Sequence, residues 1–416
     1  MTVPARPAIA LDRALRDRRI LVVCGSGGVG KTTTAAALGL RAALLGRRVL
    51  VCTIDPSRRL ATSLGLNQLS GRPRSLDIGR FRPAPDGAMW AMTLDTKRTF
   101  DALVERHAKD EAARRRILEN RFYRQVSAAL AGSHEYMAME KLLDLSSEER
   151  FDLIVLDTPP TRHALDFLTA PDRMIGVLDT SVLRWLLKPY FVAGRLTIKV
   201  ATRTGALALR LADRALGLQF LQDLSEFFLA FEGMYEGFKE RAARVHELLR
   251  DAGSGFVLVA SPARTTLDEA LYFHRRLRDG GMPFVSFVVN RAHPDPSQVA
   301  LSQGASRASP PPFRGRAGQG GGAAALEPEL LDKLAAVFRD QRTIAAAERR
   351  STSRLEAKTG EALVVVPEME VDVHDLRGLK EIADAIFEGV GTRRRGEPRE
   401  RRRAVAVASG PREGEP

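Results

Sequence analysis

Cysteine is nearly absent: the 416 residues contain two, Cys24 and Cys52. Both sit inside apolar runs and form no CxxC, which excludes a disulfide scaffold and a cysteine-ligated zinc centre. No apolar run reaches the roughly 20 residues a membrane-spanning helix needs. The longest candidate, TGALALRLADRALGLQFL, is interrupted by Arg210, Asp213 and Arg214. The first twenty residues lack the apolar core of a secretory signal. These absences lead us to expect a cytoplasmic protein. Aromatic residues make up only 6% of the chain, and the basic stretch Thr392–Pro416 has none. Despite a net charge of +13, a base-stacking nucleic-acid surface is therefore not expected there. Residues 393–416 read instead as a disordered basic tail.

What is present is an alternation of β-rich apolar runs with helix-forming segments. RRILVVCGS, then TTTAAALGLRAALLG, then RRVLVCTID make an opening βαβ unit. Further strands are expected at Met89–Asp95, Phe151–Asp157, Gly255–Ser261, Pro283–Asn290 and Ala362–Pro367. Such near-continuous apolar runs between helices predict an α/β fold, with a mostly parallel sheet covered on both faces. Helical segments at about 97–145 and 171–250 exceed what the sheet needs and read as a helical subdomain, the second rich in Leu, Phe and Met. A Pro/Gly/Ala-rich stretch at about 294–328 reads as a flexible loop. Residues 1–392 are taken as one domain carrying these two insertions.

The sequence Gly25-Ser26-Gly27-Gly28-Val29-Gly30-Lys31-Thr32-Thr33 comes after the first strand and opens a helix. This is the P-loop arrangement, in which glycines let backbone N–H groups approach phosphate at the positive end of a helix. In that role Lys31 bridges the β- and γ-phosphates of a nucleotide, and the Thr32 hydroxyl ligates Mg²⁺. LIVLD ends at Asp157, placed to support the same Mg²⁺, and runs on into TPPTRHALDFL. Asp55, in TIDPSRRL, ends the second strand at the same sheet edge. An acid there suits the activation of an attacking water or a place near the metal; capping the next helix is the plainer alternative.

GSGGVGKT, DPSRRL and DTPPTRHALDFL together resemble the P-loop, switch I and switch II of the ArsA family, over about residues 20–386. That family comprises the arsenite-pump ATPase and the guided-entry ATPase for tail-anchored proteins. GSHEYMAMEKL resembles the family segment before its second acidic strand, and VVNRAHP resembles its adenine-contacting strand end. The resemblance implies a P-loop NTPase of the deviant Walker A (SIMIBI) type that hydrolyses ATP with Mg²⁺. It nominates Asn290, and after the last strand Pro367, as contacts to the base. It also implies a nucleotide-gated dimer, either a homodimer or a heterodimer with an ArsA-like paralogue. A further implication is a hydrophobic protein client or membrane partner, held by the helical subdomain.

Three departures qualify these expectations. The metalloid cysteines are missing, and so is the dimer-bridging CxxC, so neither arsenite stimulation nor zinc is expected. Ser26 stands where the family carries a lysine that reaches the partner's nucleotide. Arg58 or Arg162 supplying the cation, a lysine-bearing paralogue, and slow chemistry are the three readings of that gap. A ParA/MinD-like ATPase positioned on DNA or membrane, and a non-hydrolysing ATP-binding scaffold, are the alternatives at the level of function.

Overall fold

Both faces of every central strand are apolar, and this dictates a sheet with a helical layer on each side. The computed structural model describes residues 7–55, 57–121, 123, 133–159, 234–296, 328–361, 363–369 and 372–388. The strands are β1 (Ile20–Gly25), β2 (Arg48–Thr53), β3 (Arg74–Leu76), β4 (Ala88–Thr93), β5 (Leu153–Asp157), β6 (Ser254–Ala260), β7 (Phe284–Ala292) and β8 (Leu363–Pro367). They form one sheet in the order β3-β4-β2-β5-β1-β6-β7-β8. All neighbours pair in parallel except β3, which lies antiparallel on β4. Seven of the eight strands match the sequence expectation; β3 was not anticipated. It is three residues long at the sheet edge, with only Leu76 buried, so it carries no apolar run to detect.

The helices of the described segments are α1 (Pro7–Asp17), α2 (Lys31–Leu44), α3 (Arg59–Ser63), α4 (Thr96–His107), α5 (Glu111–Glu119), α6 (Ser133–Ser147), α7 (Tyr235–Arg250), α8 (Arg264–Asp279), α9 (Pro328–Thr359) and α10 (Leu376–Glu388). The expected helical stretch at 97–145 is thus divided. Asp95 and Asp110 cap α4 and α5 by accepting from the N–H groups of Arg98 and Ala113. Ala108 and Asn120, in extended conformation, end those helices. Residues 171–233 of the second helical stretch, Arg162, residues 297–327 of the expected loop and the 393–416 tail lie outside the described residues. Among the described residues, no helix is long and apolar enough to cross a membrane.

Strand alternation sorts the core into two halves. Ile20, Val22, Cys24, Leu50 and Cys52 face the side covered by α4, α6, α7 and α8. Leu21, Val23, Val49 and Val51 face the side covered by α1, α2 and α10. Each fully buried aliphatic side chain contributes about 1.5–3 kcal/mol relative to exposure. On the first side an ionic network ties three helices together. Arg241 of α7 reaches Glu140 at 2.5 Å and Asp144 at 2.8 Å, both on α6. Arg106 of α4 grips Asp144 at 2.6 and 3.0 Å. The Tyr136 hydroxyl donates to Glu140 at 2.5 Å.

Because β1, β2, β5, β6, β7 and β8 run in parallel, their carboxyl ends share one edge. Open α/β sheets bind ligands at that edge. Gly25, Thr53, Asp157, Ala260, Asn290 and Pro367 all arrive there.

Candidate functional site

The loop from Gly25 to Gly30 leaves β1 at the sheet edge and enters α2. Gly30 caps that helix in the left-handed region at φ 91°, and Gly28 has φ 78°. These are conformations that a side chain strains. Space is equally restrictive: a Cβ on Gly25 would run into the Val259 carbonyl, and one on Gly30 into the Asn290 amide. The loop can therefore lie close to β6 and β7 only with glycine at positions 25 and 30.

A cleft of about 500 Å³ opens above it, lined in part by Gly28, Gly30, Lys31, Thr32, Thr33 and Asp55. Arg58, Arg59 and Arg291 also face this cleft, so that with Lys31 four cations stand against the two acids Asp55 and Asp372. Lys31 is buried and donates to the Ser26 carbonyl at 2.7 Å. Burial pulls its pKa down, and the negative charge of Asp157 opposes that pull. The ammonium is held across the mouth of its own loop, a cation with one protein acceptor and room to meet an anion.

Beneath Lys31 lies a buried oxygen cluster. One Asp157 oxygen accepts from the Thr32 hydroxyl at 2.7 Å and from the Thr53 hydroxyl at 2.8 Å. Its other oxygen, Oδ1, is buried with no hydrogen-bond partner. Burial pushes the carboxyl up to about 6, against those two hydrogen bonds and the charge of Lys31. An orphaned buried carboxylate oxygen beside a threonine hydroxyl is an all-oxygen donor set, which suits a hard divalent cation such as Mg²⁺. Among the described residues no three His, Cys, Asp or Glu converge as a metal site.

Asp55 lies at the rim. Its Oδ1 accepts from the Ser57 N–H at 2.8 Å, and its Oδ2 faces Arg59 at 3.7 Å. The next helix is capped at Arg58, so Asp55 makes a local turn rather than the helix cap. Ser26 turns its hydroxyl to Glu269 on α8. Asn290 is buried and donates from Nδ2 to the Val29 carbonyl at 2.9 Å. Pro367 closes β8 opposite Ala292 and is not among the residues that line the cleft.

The structure thus gathers Gly28, Gly30, Lys31, Thr32, Thr33, Asp55 and Arg58 around one cleft. Asp157 lies directly beneath, through Thr32. Asn290 is placed behind the loop. Sequence reasoning missed Thr53, Glu269, Arg291 and the Asp372–His374 segment at the cleft wall. Thr53 and Arg291 each lie within two residues of a nominated position, and nothing in the sequence pairs Glu269 with Ser26.

A family model described as anion-transporting ATPase (ArsA ATPase) matches residues 18–307. An Aquifex aeolicus protein named as a putative arsenical pump-driving ATPase is 27% identical over 274 residues, 61% of this chain and 59% of that protein. ATPase GET3C of Arabidopsis thaliana is 25% identical over 303 residues, 68% of each chain. ATPase GET3 of Podospora anserina is 28% identical over 158 residues, 38% of this chain and 44% of that one. The chain therefore spans less than two thirds of the length of two of these three relatives.

Proposed function

Since the chain belongs to the anion-transporting ATPase family, we propose that it binds ATP with Mg²⁺ and hydrolyses it as a dimeric conformational switch. The observation that carries this reading is the grouping of Lys31, Thr32 and Asp157 beside a loop that tolerates only glycine at positions 25 and 30. In this reading the Gly25–Thr33 backbone and Lys31 hold the phosphates, and Thr32 with Asp157 behind it holds the metal. Bound Mg²⁺ would neutralise charge between the β- and γ-phosphates. Asp55 orients the attacking water and takes its proton through Oδ2, which faces Arg59 at 3.7 Å, while Oδ1 is held by the Ser57 N–H. Arg58, Arg59 and Arg291 at the cleft supply positive charge toward the phosphates that Ser26 does not.

The client is read as a hydrophobic or membrane-protein segment. The GET3 names of relatives and the Leu/Phe/Met-rich stretch at 171–250 support this. A metalloid cargo has no support in the thiols. Cys24 and Cys52 are free and buried in the sheet, and burial pushes both up to about 12.

Asp55→Asn tests the chemistry: ATP binding with Mg²⁺ is expected to persist while turnover falls by about 10²–10⁴. Light scattering of that variant with ATP is expected to give a dimer that reverts without nucleotide. Undiminished turnover would remove Asp55 from the mechanism, and a monomer under saturating ATP would remove the dimeric switch. Binding of a soluble-tagged single-span helix by the ATP-bound variant checks the client.

A further inference from the structure

Strand β7 breaks its own alternation at the point where it meets the phosphate loop. Its register on β8 shifts between Val289 and Ala292, and Arg291 sits in the left-handed region at φ 62°. A regular strand sends consecutive side chains to opposite faces, whereas a bulge re-aims one of them. Here both consecutive side chains reach the same loop. Asn290 Nδ2 donates to the Val29 carbonyl at 2.9 Å, and Arg291 Nη1 donates to the Gly28 carbonyl at 3.2 Å.

Two adjacent carbonyls are therefore held by two adjacent side chains. A trans peptide is planar, so the N–H of the following residue points opposite to its carbonyl. Fixing the Gly28 carbonyl fixes the direction of the Val29 N–H, and fixing the Val29 carbonyl fixes that of the Gly30 N–H. Those amides belong to the nest that a P-loop offers to phosphate. Gly30 also has to be glycine for Asn290 to come this close, since a Cβ there would collide with its amide. A left-handed arginine is strained backbone, and strain of this kind is kept where the surroundings hold it in place.

We propose that Asn290 and Arg291 are positioning residues: a splint that holds the loop's amides ready for a polyphosphate, whatever base it carries. This rests on the nucleotide reading and goes beyond the base contact that the resemblance implies for Asn290. A splint and a base contact differ in one measurable respect. The splint matters equally to a ligand with no base.

The test is calorimetric titration of the full chain with Mg²⁺-ATP and with Mg²⁺-tripolyphosphate, for the wild type, Arg291→Gly and Asn290→Leu. Arg291→Gly keeps the left-handed backbone without strain and removes only an exposed side chain. Both variants are expected to lose about tenfold in affinity for both ligands, the scale of one lost hydrogen bond to the loop. Amide exchange at Val29 and Gly30 in the ligand-free Arg291→Gly protein is expected to speed up. A loss confined to ATP, with tripolyphosphate unchanged, would show a base contact and overturn the splint. Unchanged amide exchange at Val29 and Gly30 would overturn it as well, whatever the affinities, because loss of the Arg291 charge weakens both ligands without loosening the loop. Failure of the wild type to bind either ligand would instead bring down the nucleotide reading on which it rests.

Discussion

The Ser26 hydroxyl donates a hydrogen bond to the Glu269 carboxylate, joining the phosphate loop to α8 within one chain. An acid thus stands beside the loop position where the family resemblance implies a lysine. Its field opposes an incoming polyphosphate, although its solvent exposure screens the effect. Glu269→Gln is expected to tighten ATP binding by about three- to tenfold at low ionic strength and by little at high salt. Fluorescence titration at two salt concentrations measures this; equal affinity of variant and wild type at low salt would contradict it. The same acid predicts that Ser26→Lys alone restores little turnover, because Glu269 captures the new ammonium in cis. Ser26→Lys with Glu269→Gln should be the faster enzyme.

In the proposed reading, Asp157 sets the stability of the fold against metal binding. Burial raises its carboxyl to about 6, while the Thr32 and Thr53 hydroxyls lower it. A raised acid binds its proton more tightly in the folded than in the unfolded chain. The ionised group therefore costs stability above pH 6, and that cost fades as pH falls toward the usual carboxylate range near 4. The shift amounts to about 3 kcal/mol at pH 8. Asp157→Asn should melt higher than wild type at pH 8 without nucleotide, and the gain should vanish near pH 4. The same variant should lose its Mg²⁺-dependent gain in ATP affinity. Thermal melts across that range, with and without Mg²⁺-ATP, check both halves.

The Glu140–Arg241 pair is the fragile point of the helical layer. Glu140 is fully buried, and burial raises its carboxyl while Tyr136 and Arg241 hold it down. Arg241→Met removes the compensating charge and is expected to destabilise by about 3–5 kcal/mol in urea unfolding. Adding Glu140→Gln should restore most of that loss, because the uncompensated charge goes with it. An Arg241→Met loss below about 1 kcal/mol would mean that the pair contributes like an exposed one.

The cysteines predict a negative result. Thiols pushed up to about 12 by burial carry almost no thiolate at pH 8. Iodoacetamide should leave native Cys24 and Cys52 unmodified and label both after unfolding, as read by intact mass. Arsenite should not stimulate ATP turnover. Stimulation abolished by Cys24→Ser would reverse this reading.

Much of the sheet was legible because a strand buried on both faces must be an unbroken apolar run, as in ILVVCG or LIVLD. The edge strand Arg74–Leu76 was not, because one buried side chain leaves no period. The candidate site residues carried by a local motif, Lys31 and Thr32, could be read from spacing, and both line the cleft. Asp157 and Asp55 could be read from strand ends. Glu269 and Arg291 could not, because their significance depends on partners 243 and 263 residues away. Arg291 also depends on a bulge that reverses the direction a regular strand would give its side chain.

Thr158 gives the segment after β5 a fixed root. Its N–H and its hydroxyl both donate to the Val23 carbonyl, at 3.2 and 3.0 Å. One carbonyl on the central strand, two residues before the phosphate loop begins, thus anchors the first residue beyond Asp157. A lengthwise slide of the strand end would have to break both of these hydrogen bonds, whereas a rotation about Thr158 would keep them.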